Sequence, residues 1–179
     1  DLNNMVGHNY RLGEIECAIG IEQLKKLKGF VSRMQEIAKK LTDGFEALSS
    51  LTTPFIHQDQ THVFYVYPLI FEYKESQISR DRIYQALVAE GVPGLSQSYQ
   101  NIHLLPIYQQ KIAYGTKGFP WTIANRDVSY EKGICPNAEK LNNKTYLGIA
   151  MCMYDFNDKD VNLIISAFQK VWDNFDLLQ

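Results

Sequence analysis

The chain has 179 residues, 45% of them hydrophobic, and a formal charge of −2. That is enough apolar material for one domain with a sizeable core plus an appended element. The near-neutral balance, with no basic stripe, excludes nucleic acid or an anionic membrane as a partner held by bulk charge.

Residues 1–10 are polar and lack periodicity. His8, Asn9, Tyr10 and Arg11 sit just ahead of Leu12, the first apolar helical position. Backbone N–H groups at a helix start favour anions, and Asn9 and Arg11 add side-chain donors suited to a phosphate. A capped helix start accounts for the same residue types. Leu12, Ile15 and Ile19 then mark one helical face, and Leu24, Leu27, Val31, Met34, Ala38, Leu41, Phe45 and Leu48 recur at spacings of three and four. This predicts one long helix, or two joined helices with Gly29 as the bend. A continuous helix over 12–48 would run roughly 55 Å, more than a small domain needs. It reads as a bridge between two domains rather than as a coiled coil.

Residues 49–61 read as a loop with a short extended piece at 54–57. The stretch 62–73, HVFYVYPLIFEY, is the best strand, with Val63, Tyr65, Tyr67, Leu69 and Phe71 on one face. Pro68 within it points to an edge or a bulge. Ser79 is a helix N-cap, with Ile83, Ala86 and Leu87 turned inward and Gly91 as the stop. An extended segment over 92–103 and a short helix from Pro106 follow, then a loop over 115–126. A short helix around Pro136 and a buried strand within 146–153 come next. A strongly amphipathic helix from Asp158, capped by Asn157 or Asp158, closes the chain with Val161, Ile164, Ile165, Phe168, Val171, Trp172 and Phe175 in one stripe. The order predicts an α+β domain with a small antiparallel or mixed sheet of three or four strands covered by helices.

Five stretches carry a more specific signal. Residues 7–27 read GHNYRLGEIECAIGIEQLKKL. They resemble the segment G-x-N-Y-R-hydrophobic-x-E-x-x-A-A-x-G-x-x-Q-L-x-K-L of the DegT/StrS-type PLP-dependent nucleotide-sugar aminotransferases. Gly7, Asn9, Tyr10, Arg11, Glu14, Ala18, Gly20, Gln23, Leu24, Lys26 and Leu27 match, and Cys17 stands where the family usually has Ala. The resemblance continues through EGVPG at 90–94, YQNIHLLPIY at 99–108, GFPW at 118–121 and CPNAEKL at 135–141.

The resemblance implies the C-terminal portion of such an enzyme. Residues 1–28 would be the cofactor loop and the start of the bridging helix, belonging partly to a missing large domain. Residues 29–179 would be the small C-terminal domain of an aspartate-aminotransferase-type, fold type I, PLP enzyme. In the family the Schiff-base lysine lies N-terminal to the NYR segment, and no lysine here matches it, so this chain alone is expected to lack activity and pyridoxal 5'-phosphate. The full-length enzyme would move an amino group from glutamate, by way of PLP, to a keto nucleotide-sugar in cell-surface polysaccharide or related sugar biosynthesis. Asn9 would bond the cofactor phosphate of the neighbouring subunit of a homodimer, with Arg11, Tyr10 and His8 near the substrate. Two alternatives stand beside this reading: a PLP-dependent sugar dehydratase of the same family, and a non-catalytic sugar-nucleotide-binding or dimerisation module.

Other chemistry finds little support. Cys17, Cys135 and Cys152 are too far apart for a disulfide framework, and there is no signal-peptide pattern or apolar run of about 18 residues. The chain is read as cytoplasmic, without a membrane partner. His8, His57, His62 and His103 share no metal-site spacing, so each is read as a core or surface residue. No P-loop, dinucleotide fingerprint or G-x-S-x-G occurs, and Cys135 has no orienting base nearby in sequence. Tyr10, Tyr99 and Trp121 are read first as packing aromatics and second as sugar-stacking surfaces.

Overall fold

The computed structural model describes residues 10–72, 78–115 and 117–178. Helix α1, Glu14–Phe45, is one helix of 32 residues that passes through Gly29. It is about 48 Å long at ~1.5 Å per residue. Its apolar seam is divided: Ile37, Ala38, Leu41 and Phe45 are buried, whereas Ile15, Ile19, Leu24 and Leu27 are exposed.

Strand β1, Leu51–Thr52, lies within the stretch expected to be a loop. It pairs antiparallel with β2, Tyr67–Phe71, through Leu51 opposite Phe71 and Thr52 opposite Ile70. β2 is shorter than expected because its alternation fails before Tyr67. Phe64 adopts a φ of 52° and turns into the core, so Val63 and Tyr65, placed on one face with Tyr67, Leu69 and Phe71, are exposed while those three are buried. His62 Nδ1 accepts the Phe64 N–H at 2.9 Å, which fixes the turn. From Tyr67 onward the expected face holds, with Tyr67, Leu69 and Phe71 buried.

β2 also pairs with β4, Tyr146–Ile149, placing Pro68 opposite Gly148. Pro68 thus sits on an interior strand, not at the sheet edge. It is tolerated because β1 reaches only Ile70 and Phe71, so among the described residues no strand flanks Pro68 on the side away from β4. β3, Leu95–Ser96, pairs with the other side of β4. The four strands run in the order β1-β2-β4-β3, each pairing antiparallel.

Helix α2, Arg80–Ala89, begins as expected, with the Ser79 side chain accepting the Arg82 N–H at 3.2 Å. It stops at Gly91, whose φ of 85° suits glycine. Two short helices follow, α3 over Pro106–Gln109 and α4 over Pro136–Lys140, each with a proline in its first turn. α4 runs directly into a π-helical turn, Leu141–Thr145, which delivers the chain into β4. Helix α5, Asp158–Asp173, starts on a capping box between Asn157 and Asp160 and buries Val161, Ile164, Phe168 and Val171.

The core lies where α1, α5 and the sheet meet. Phe168 stacks on Phe45 with ring centroids 4.4 Å apart. Outside the core, Lys40 Nζ and Arg33 Nη2 reach the Asp158 carboxylate at 2.9 and 3.0 Å. The Lys40 hydrogen bond, and after it the Arg33 bond, holds that carboxyl below its usual range. The result is the expected small antiparallel sheet covered by helices and preceded by a long helix.

Candidate functional site

Of the four residues expected to meet cofactor or substrate, His8 and Asn9 lie outside the described residues. Tyr10 and Arg11 occupy irregular chain ahead of α1. The helix begins at Glu14, later than Leu12, with Gly13 as an extended N-cap that makes no side-chain cap. Glu14 and Glu16 fill the first turn. Their carboxylates already complement the positive helix end, where a phosphate was expected. Tyr10 is 87% exposed.

A second cluster escaped sequence reasoning. Residues 97–103 are tethered to α4 and the π-helical turn at three points. The buried Arg80 guanidinium donates to the Gln97 carbonyl, to the Tyr146 carbonyl at 2.7 Å and to the Asn142 carbonyl at 3.3 Å. The Tyr99 N–H donates to Asn142 Oδ1 at 3.0 Å. Next along the chain, His103 Nε2 lies 2.9 Å from Glu139 Oε1. That same oxygen accepts the Gly133 N–H at 2.6 Å.

The Glu139 carboxyl is only 8% exposed as a residue, yet it is held below the usual carboxylate range. The Gly133 hydrogen bond lowers it most; burial opposes, and His103 lowers it further. An ionised carboxylate only accepts, so Nε2 is the protonated nitrogen of His103. Gln109 Nε2 in turn donates to the carbonyls of His103, at 2.7 Å, and Tyr130. The two ends of the 104–132 excursion are thereby closed on each other.

A cavity of about 500 Å³ opens beside this clasp, lined in part by Asn101, His103, Tyr108, Tyr130 and Cys135. Trp121 Nε1 donates to the Tyr130 hydroxyl at 3.0 Å, so Trp121 does pack. Tyr99 does not pack: it is 83% exposed. His103 and Glu139 both fall in the quoted motif stretches. Nothing in a single sequence pairs positions this far apart. Among the described residues, no group of three or more His, Cys, Asp or Glu is placed to hold a metal, and no helix is long and apolar enough to cross a membrane.

The sequence profile of the DegT/DnrJ/EryC1/StrS aminotransferase family matches residues 2–154. The chain is 31% identical to the spore coat polysaccharide biosynthesis protein SpsC of Bacillus subtilis, over 64% of this chain and 29% of SpsC. It is 28% identical to the UDP-4-amino-4,6-dideoxy-N-acetyl-beta-L-altrosamine transaminase of Campylobacter jejuni, over 59% of this chain and 27% of that protein. In fold it is similar to DesV of S. venezuelae, solved in complex with a ketimine intermediate, with a TM-score of 0.71 at 19% identity, covering 96% of this chain and 39% of DesV. The chain thus spans less than a third of the length of these two curated relatives. The fold is that of fold type I, and the aminotransferases of the family are PLP-dependent. The profile match covers most of the chain and includes all five motif stretches, and the chain belongs to the DegT/DnrJ/EryC1/StrS aminotransferase family.

Proposed function

We propose that the chain is the C-terminal part of a PLP-dependent sugar aminotransferase that moves an amino group from glutamate to a keto nucleotide-sugar. It would work in the cytoplasm, in cell-surface polysaccharide or related sugar biosynthesis. The observation that carries the reading is the profile match over residues 2–154, which includes the GHNYR stretch. The names of the relatives support the substrate class: one is a UDP-sugar transaminase, another a GDP-perosamine synthase.

The division of α1 supports the domain reading. Apart from the half-buried Gly20, its residues are exposed through Phe30 and begin to turn inward at Val31, close to the proposed boundary between 1–28 and 29–179. A helix half-sunk in one domain and bare over its other half suits a bridge to a second body. In this reading the catalytic lysine comes from that second body, and this chain by itself neither holds PLP nor turns over.

The proposed work of this chain at the cofactor is binding and orientation. Asn9 donates a hydrogen bond to the cofactor phosphate of the neighbouring subunit, and His8, Tyr10 and Arg11 border the substrate. A site shared in this way requires a two-fold dimer. The test mixes two inactive full-length parents, one lacking the Schiff-base lysine and one carrying Asn9→Ala. Each hybrid dimer then holds one site with both groups intact and one with neither. Glutamate-dependent amination of a UDP-linked 4-keto sugar should reappear on subunit exchange. Hybrids that form and stay inactive would refute the shared site.

A further inference from the structure

We propose that Glu139 is a positioning residue that holds His103 as a hydrogen-bonding post for a hydroxyl of the substrate's sugar ring. The inference rests on the nucleotide-sugar reading above and adds a second contact region to it, distant in sequence from the NYR segment.

Three observations converge. First, the His103–Glu139 pair is almost enclosed: each side chain is 10% exposed, with 2.9 Å between Nε2 and Oε1. Second, the carboxylate is itself immobilised. Its Oε1 takes the Gly133 N–H, and the Glu139 N–H donates to the Cys135 carbonyl at 3.0 Å within α4. A ring held by a fixed carboxylate has one orientation and one tautomer. Third, His103 lines the 500 Å³ cavity together with Tyr108, Tyr130 and Cys135.

In the neutral ring that donates its Nε2–H to Glu139 as a hydrogen bond, Nδ1 carries the lone pair, and it makes no hydrogen bond among the described residues. A lone-pair acceptor at the wall of a cavity otherwise lined by two tyrosines, two amides, a thiol and the aliphatic Ile102 and Ala138 suits a neutral ring bearing hydroxyls. The site offers no cation for a phosphate. Aromatic faces beside a few neutral polar groups suit a sugar, whose C–H faces pack on rings while its hydroxyls hydrogen-bond.

The experiment uses the intact protein with ¹⁵N-labelled histidine, as wild type, Glu139→Gln and Glu139→Ala. UDP-N-acetylglucosamine and GDP-mannose are the probes, with UDP and GDP as controls. The wild-type His103 should show the Nε2–H tautomer, and its Nδ1 resonance should move with a sugar nucleotide and not with a nucleoside diphosphate alone. Glu139→Ala should mix the tautomers and weaken sugar-nucleotide binding at least tenfold while leaving nucleoside diphosphate affinity unchanged. Glu139→Gln, which still accepts through its amide oxygen, should restore both. If the Ala variant fails to fold, the wild-type and Gln spectra decide alone. A wild-type Nδ1–H tautomer, or an Nδ1 resonance unmoved at saturating sugar nucleotide, overturns the inference and leaves the functional reading standing. Absence of binding by every sugar nucleotide and diphosphate overturns the functional reading, and this inference with it.

Discussion

Tyr67 is fully buried in β2, and its hydroxyl has one side-chain partner, Thr42 Oγ1 on α1, at 2.7 Å. Thr42→Val keeps the side-chain shape and leaves that hydroxyl unpaired, which costs about 1–3 kcal/mol. Thermal denaturation should show a lowered Tm, and adding Tyr67→Phe to Thr42→Val should recover most of it, since the orphaned group is then gone. A single variant no less stable than wild type would show that the hydroxyl finds another partner. Burial also pushes the Tyr67 hydroxyl from 10.0 up to about 12, the Thr42 bond opposing and the Asp43 charge adding. Because the folded value is the higher one, the contribution is fully present below pH 10 and is lost as pH rises towards about 12. Tyr67→Phe should flatten the alkaline limb of the stability curve in that window.

Between elements, α1 and α5 pack tightly at Gly44. A Cβ on Gly44 would lie 2.6 Å from Ile165 Cδ1, 2.8 Å from Cγ1 and 2.9 Å from Cγ2. Alanine there would gain up to about 1 kcal/mol of helix propensity. Overpacking against three atoms of one β-branched side chain costs about 1–3 kcal/mol, and the second effect wins because an isoleucine within a helix strongly prefers a single χ1 rotamer. Gly44→Ala should therefore lower the urea midpoint, and Gly44→Ala with Ile165→Ala should fall less far than the sum of the two single changes. Strict additivity would mean that the helices do not press on each other at this point. At Gly29 nothing lies within 4 Å of such a Cβ, so Gly29→Ala serves as the control for propensity alone.

At the scale of the molecule, the exposed half of α1 dominates. Ile15, Ile19, Leu24 and Leu27 leave one end of the structure with apolar side chains that its own core does not cover. Such a surface associates in water. This chain on its own should self-associate with rising concentration in sedimentation experiments. Ile19→Glu combined with Leu24→Glu should reduce that association while leaving the Tm unchanged, because neither side chain contributes to the core. A monomer at all concentrations, or a large loss of Tm in the double variant, would count against the bare-helix description.

Some of this architecture is dictated locally and was legible in the residues. Ser79, Asn157 and Gly91 act as caps and stops through bonds and backbone angles that involve only their neighbours. The stripe Val161–Ile164–Phe168–Val171 buries because its spacing already defines a face. Membership in the aminotransferase family was readable in the same way, from short runs such as GHNYR and CPNAEKL. Other features depend on what the chain meets after folding. The seam of α1 has one periodicity from end to end, yet only its second half is buried, because α5 and the sheet reach no further. Phe64 displaces Val63 and Tyr65 from the core because one positive φ resets the alternation, and no pattern of residue types announces that angle. The His103–Glu139 clasp joins two motif stretches that the sequence presents as unrelated. It forms only because α4 and the π-helical turn carry Glu139 back beside the 97–103 segment, and tertiary packing alone sets that distance.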